Sequence, residues 1–316
     1  MRSAFHHVIR SSLKTSLWLL SIMIPISFGV TLLQYFGILS HIAGWLEPFC
    51  RIVGLRGEAA LVWLTAGTLN LYSGIAVIQS IPFTVREITI MALMTLIAHS
   101  LIVETIVQRK TGSSALLMLG IRIGVAFLGG LILHAVLPEN NTAQLHGIAI
   151  ATPSFGETMA HWGSGTCMLA LKIICIILSL NILQKFMQDY GLMDQLARLC
   201  SPVMRFMGLT PATSFLWIVA NTVGLSYGAA IILENRHQLL QRDTDLLNCH
   251  IAVCHSFLED TPMFLAVNAQ LFWITVPRVL LAILTVWIYR LLTAKTGSGR
   301  NVPDQTGPDS TVPDKA

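Results

Sequence analysis

The sequence predicts an all-α polytopic membrane protein of two inverted repeats, each with three spanning helices and one re-entrant or broken helical hairpin. Three observations predict it: an apolar composition, an internal duplication, and the placement of the basic residues. Of 316 residues, 54% are hydrophobic and 11% charged, with mean hydropathy +0.68. A soluble domain carries about 25% charge, and no soluble core absorbs this much apolar sequence.

The apolar stretches are taken in order. A helix crosses a bilayer with about 20 residues. Leu17–Leu39, Ile88–Val107, Ala115–Leu137, Cys167–Phe186, Leu246–Ala269 and Leu271–Leu292 are long enough. Ala59–Ile81 and Ala212–Leu233 are apolar but interrupted by small and polar residues. Arg2, Arg10 and Lys14 ahead of the first run imitate a signal peptide, yet the run is too long and no small-residue cleavage site follows. It reads as a retained first helix. The net charge of +4 is then a matter of loop sidedness, and no basic run interleaved with aromatics suggests a nucleic-acid partner. The six cysteines form no CxxC pair and mostly lie in apolar helices, so disulfides are not implied.

The repeat emerges when the chain is slid on itself. An offset of 154 residues pairs Gln34 with Gln188, Gly37 with Gly191, Pro48 with Pro202, Arg51 with Arg205, Gly54 with Gly208, Trp63 with Trp217 and Gly74 with Gly228. Over residues 34–78 this gives 14 identities in 45 without a gap, well above what hydrophobic bias supplies. An offset of 156 then pairs His99 with His255, Ser100 with Ser256, Glu104 with Asp260, Thr105 with Thr261 and Arg122 with Arg278. The expected organisation is a cytoplasmic N-terminus (1–14), repeat one (15–137), an external linker (138–165), repeat two (166–294) and a disordered cytoplasmic tail (295–316) rich in Pro, Gly, Ser and Asp.

Topology follows from the basic residues. If all eight apolar stretches cross, ten Lys or Arg lie inside and seven outside. If the two interrupted stretches are hairpins, 14 lie inside and only Arg51, Arg56 and Arg86 outside, with Lys172, Arg122 and Arg278 embedded. The positive-inside rule prefers the second arrangement. Three crossings is an odd number, so the units are inverted, an architecture shared with many secondary transporters. The interruptions are Gly67, Asn70, Tyr72, Ser73 and Gly74 in one unit and Asn221, Gly224, Ser226, Tyr227 and Gly228 in the other. Non-helical backbone at membrane depth persists only where protein or a watery cavity satisfies it, so such tips could line a cavity; close helix packing by small residues is the alternative.

Two segments, AHSLIVET (98–105) and CHSFLEDT (254–261), place ionisable groups within apolar helices. Such groups normally face a partner or a cavity. The pathway candidates are His99, Ser100, Glu104, Thr105, His255, Ser256, Glu259, Asp260 and Thr261. On a helix His255 and Glu259 share a face, whereas His99 and Glu104 diverge by roughly 140°. A divalent metal on His255 and Glu259 is chemically sensible, with His250 and Cys254 as softer additions. Hydrogen bonding across helices is the plain alternative. Arg122 and Arg278 are expected to pair with Glu104 and Asp260, with attraction of an anionic substrate and snorkelling as the alternatives. Glu58, Glu87, His146, Glu157 and His161 are expected to be solvated loop groups.

SFLEDTPM (256–263) and the paired units with interrupted hairpins resemble the Gate (nucleoside recognition) membrane domains. These occur in concentrative nucleoside transporters, the permease part of the ferrous-iron transporter FeoB, and spore maturation proteins A and B. Ser256, Leu258, Glu259, Asp260 and Thr261 look like the FeoB string; the first unit keeps Ser100, Glu104 and Thr105. The likeness spans roughly residues 15–294, but no P-loop GKS or GKT is present and the nucleoside transporters' substrate-binding hairpins have no counterpart. The resemblance implies a bacterial inner-membrane permease, both termini cytoplasmic, moving a nucleoside-like small polar solute or an ion. It equally allows a divalent-metal permease, or a non-transporting component that assembles with itself or a membrane partner. The only cofactor class implied is a coupling ion or divalent metal. An enzyme is not expected, because G-x-S-x-G, H-E-x-x-H and Gly-rich phosphate loops are all missing.

Overall fold

A computed structural model describes residues 2–138, 154–222, 224 and 240–295, and all their regular elements are helices. Among the described residues, five stretches are long and apolar enough to cross a membrane: Val8–Tyr35, Val85–Lys110, Ala115–Val136, Phe155–Met187 and Leu271–Ala294. The first unit contains α1 (Arg2–Tyr35), α2 (Ile38–Ile52), α3 (Ala59–Thr68), α4 (Leu71–Ser80), α5 (Val85–Ile97), α6 (Leu101–Lys110) and α7 (Ala115–Val136). The second contains α8 (Phe155–Asp189), α9 (Leu192–Phe206), α10 (Ser214–Thr222), α11 (Gln241–Val253), α12 (Phe257–Leu265) and α13 (Leu271–Lys295). The expected disordered tail and His146 fall outside the described residues.

Local chemistry sets the boundaries. Gly37 (φ 70°) turns the chain from α1 into α2, and its repeat partner Gly191 (φ 62°) does the same between α8 and α9. Only glycine takes this left-handed conformation at no steric cost. Helices α3 and α4 have ten residues each, so each extends about 15 Å against a hydrocarbon core of about 30 Å. They pack against each other as a hairpin. Its turn is fixed by Asn70, whose Oδ1 accepts the Ser73 N–H at 3.0 Å and the Ser73 hydroxyl at 3.1 Å. In the second unit α10 ends at Thr222. Ser226, Tyr227 and Gly228 fall outside the described residues, so the second expected tip is seen only through Asn221 and Gly224.

Several sequence expectations change. Glu87 is not a solvated loop group: it closes a capping box with Thr84, is buried, and meets Arg56 Nε at 2.7 Å. Glu157 and His161 lie on α8, which begins within the expected linker. The Ser154 N–H and hydroxyl bond Glu157 Oε2, and the Glu157 N–H bonds Ser154 Oγ, which starts that helix. Most consequential, Ile88–Val107 and Leu246–Ala269 are each broken midway, at 98–100 and 254–256.

The broken helices form the centre. α5 is interior, buried from Glu87 to Ile97, whereas α6 buries only Glu104 and Gln108 and turns Ile102, Val103 and Ile106 outward, and α8 is peripheral. Packing between units is reciprocal: α5 lies on α7 and α13, and its counterpart α11 lies on α13 and α7. Large apolar side chains such as Leu116, Leu280 and Leu291 face outward, as a lipid-facing surface requires.

Candidate functional site

A helix broken among apolar residues leaves backbone groups without partners, a costly state with no water at hand. Here both breaks are repaired in the same way. Ser100 N–H donates to Ala66 O at 2.8 Å, and Ser256 N–H to Ala220 O at 2.9 Å. Arg122 donates from Nε to Ile97 O (2.9 Å) and from Nη2 to His99 O (2.7 Å). Arg278 donates likewise to Val253 O (3.0 Å) and His255 O (2.8 Å). Both serines take left-handed backbone, φ 45° and 49°. Both arginines are fully buried, so neither snorkels. Their role in capping the broken ends of α5 and α11 is one that sequence reasoning missed. The available signal was a pair of arginines at matched positions in apolar helices.

The breaks swing two histidines towards each other. Their ring centroids lie 5.1 Å apart. His99 Nδ1 is 3.0 Å from Thr95 O, and His255 Nδ1 is 2.7 Å from Ile251 O. A carbonyl only accepts, so each Nδ1 carries a hydrogen and each Nε2 is left facing the cluster. His99 Nε2 is 3.1 Å from Glu104 Oε1 and 3.6 Å from Asp260 Oδ2; His255 Nε2 is 3.2 Å from Glu104 Oε2. Arg122 Nη1 meets Glu104 Oε2 at 2.7 Å. All of these residues are buried.

The broken helix thus reverses the expected divergence of His99 and Glu104. It also separates the functions assigned to Glu259 and His255. Glu259 accepts the Tyr72 hydroxyl at 3.3 Å, from the first hairpin, and a Cβ added at Gly224 of the second unit would lie 3.9 Å from Glu259 Oε2. The donor atoms that gather within 4.8 Å of one another belong to His99, His255 and Asp260. His250 and Cys254 are engaged elsewhere, with Trp217 Nε1 (3.1 Å) and Asn221 Oδ1 (4.0 Å).

The expected ion pair of Arg122 with Glu104 forms, and that of Arg278 with Asp260 does not. Asp260 is one methylene shorter than its counterpart Glu104, and among the described residues Arg278 Nη1 and Asp260 Oδ2 are buried with no hydrogen-bond partner. Ser100 and Ser256 serve through backbone geometry. Thr261 is buried, and Thr105 Oγ1 is buried without a partner. Asn70 and Ser73 cap α4, Asn221 bonds Trp217 O at 3.0 Å, and Gly74 lets α4 approach α3, where an added Cβ would meet Ala66 Cβ at 2.8 Å. Among the described tip residues, Asn70, Ser73, Gly74 and Asn221 thus make contacts within their own helices or hairpin.

Residues 16–114 match the family described as Gate, nucleoside recognition. The chain is 27% identical over 294 residues to an uncharacterized membrane protein of Bacillus subtilis, YvoD, covering 90% of this chain and 93% of the relative. No solved structure matches the chain significantly.

Proposed function

We propose, from the match of residues 16–114 to the Gate family and the likeness to a membrane protein, that this is a Gate-type permease of the cytoplasmic (inner) membrane, with both termini inside. It carries a small polar solute, nucleoside-like, or an ion. The observation that carries this reading is the buried cluster of His99, Glu104, His255 and Asp260, assembled from both units at their interface. Ionisable groups at such depth are costly and mark ion or proton pathways. Reciprocal packing of α5 and α11 supports an inverted pair of units with the site between them. Glu259, which accepts the Tyr72 hydroxyl of the first hairpin and adjoins Asp260 in sequence, is suited to couple hairpin position to occupancy of the cluster. Nothing in the cluster resembles an activated nucleophile, which favours transport over catalysis.

Uptake of nucleosides and of divalent metals into proteoliposomes, comparing wild type with Glu259→Gln and Asp260→Asn, tests the reading. Wild-type uptake of one class that both variants lose is expected. Uptake of neither class, with a stable membrane partner recovered in pull-downs, would replace the permease with an assembly component. Orientation is tested by a reporter fused near residue 150, which should lie outside.

A further inference from the structure

Two imidazole nitrogens and two carboxylates converge in one buried volume, and their hydrogen-bonding is incomplete. Asp260 Oδ2 is buried without a hydrogen-bond partner, and His255 Nε2, with the ring hydrogen on Nδ1, has none to donate to Glu104 Oε2 at 3.2 Å. Each histidine has already committed its Nδ1 hydrogen to a backbone carbonyl, Thr95 O or Ile251 O. That arrangement is how metal-ligating histidines are usually held, because it fixes the tautomer with the Nε2 lone pair directed at the metal. Glu104 is oriented from behind by Arg122 Nη1 at 2.7 Å, which leaves Oε1 facing His99.

We propose that His99, His255 and Asp260, completed by Glu104, bind one divalent transition-metal ion between the two units. This rests on reading the cluster as the ion-handling site, and it names the ion's class. Mixed imidazole and carboxylate ligands suit zinc, cobalt, iron and manganese, and disfavour the softest ions. Tetrahedral bonds of about 2.0–2.1 Å place ligand atoms about 3.3 Å from one another. His99 Nε2 lies 3.1 Å from Glu104 Oε1 and 3.6 Å from Asp260 Oδ2, close to that edge, while His255 Nε2 faces the other Glu104 oxygen at 3.2 Å. The donor atoms of His99, His255 and Asp260 lie within 4.8 Å of one another, so closing on an ion draws these side chains together. Asp260 supplies the carboxylate that no arginine holds. Glu259, turned towards Tyr72, is outside the set.

Cobalt reports the geometry directly. Full-length protein in detergent, stripped with EDTA and titrated with Co²⁺, should bind one equivalent by equilibrium dialysis. It should also develop the intense visible d–d bands of a four-coordinate site. His255→Gln and Asp260→Asn should each weaken binding at least tenfold, while His41→Gln, at an exposed position, changes nothing. Weak octahedral bands, no binding by wild type, or full binding by folded His255→Gln would overturn the site; if that variant does not fold, the wild-type spectrum decides. Metal binding without uptake would sink the permease reading and leave this one standing. Uptake of a solute by protein that binds no Co²⁺ would do the reverse.

Discussion

The first unit closes its polar cluster and the second leaves it open. In the first, Arg122 caps the broken helix and also neutralises Glu104; in the second, Arg278 caps the equivalent break, but Asp260 falls short and the third guanidinium nitrogen is unpartnered. The tryptophans show the opposite bias. Trp217 Nε1 donates to His250, whereas the first unit has Met94 at the position that the offset of 156 pairs with His250. Trp63 borders an apolar cavity of about 220 Å³, and its Nε1 has no hydrogen-bond partner. What the two copies share is backbone repair, and what differs is the side-chain chemistry laid over it. A break inside a membrane has few solutions, so its capping is kept; once capped, one copy can anchor and the other can bind.

The largest test of this asymmetry is loss of each arginine. Arg122→Gln strands a buried carboxylate and two carbonyls, and should cost about 3–5 kcal/mol in unfolding from detergent. Arg278→Gln strands two carbonyls but no paired acid, and should cost only about 1–3 kcal/mol. Equal costs would mean the copies are energetically alike. The serine hinges should instead behave symmetrically. Ser100→Val and Ser256→Val force a β-branched residue into left-handed backbone, at about 1–2 kcal/mol each by the same measurement, whereas glycine at either position is tolerated. Asp260→Glu restores the missing methylene. It should reach Arg278, raise stability on the order of 1 kcal/mol by thermal melting, and abolish Co²⁺ binding. Smallest, His250→Met makes the second unit resemble the first, and should cost about 1 kcal/mol through the orphaned Trp217 N–H.

Much of this was readable from the residues. The offset of 154 located Gly37 and Gly191, both of which turn a helix, and Ala66 and Ala220, both of which receive a serine N–H. The apolar stretches located the helices, and Asn70 marked the hairpin turn. The breaks at Ser100 and Ser256 were hidden, because neither glycine nor proline marks them and the strain is carried by serine. Assuming an unbroken helix then sent His99 away from Glu104 and towards no partner. No local rule could bring His255 to Glu104 across the unit boundary, since that contact depends on how α5 and α11 pack. The Thr84 and Ser154 capping boxes, by contrast, have the S/T-x-x-E pattern in plain view, and they account for Glu87 and Glu157.

The central claim is that the two units build one shared polar site. A double-mutant cycle on Glu104→Gln and His255→Gln, followed by unfolding in detergent, tests it most directly. A coupling energy of about 0.5–3 kcal/mol is predicted, while effects that add within about 0.5 kcal/mol would contradict it.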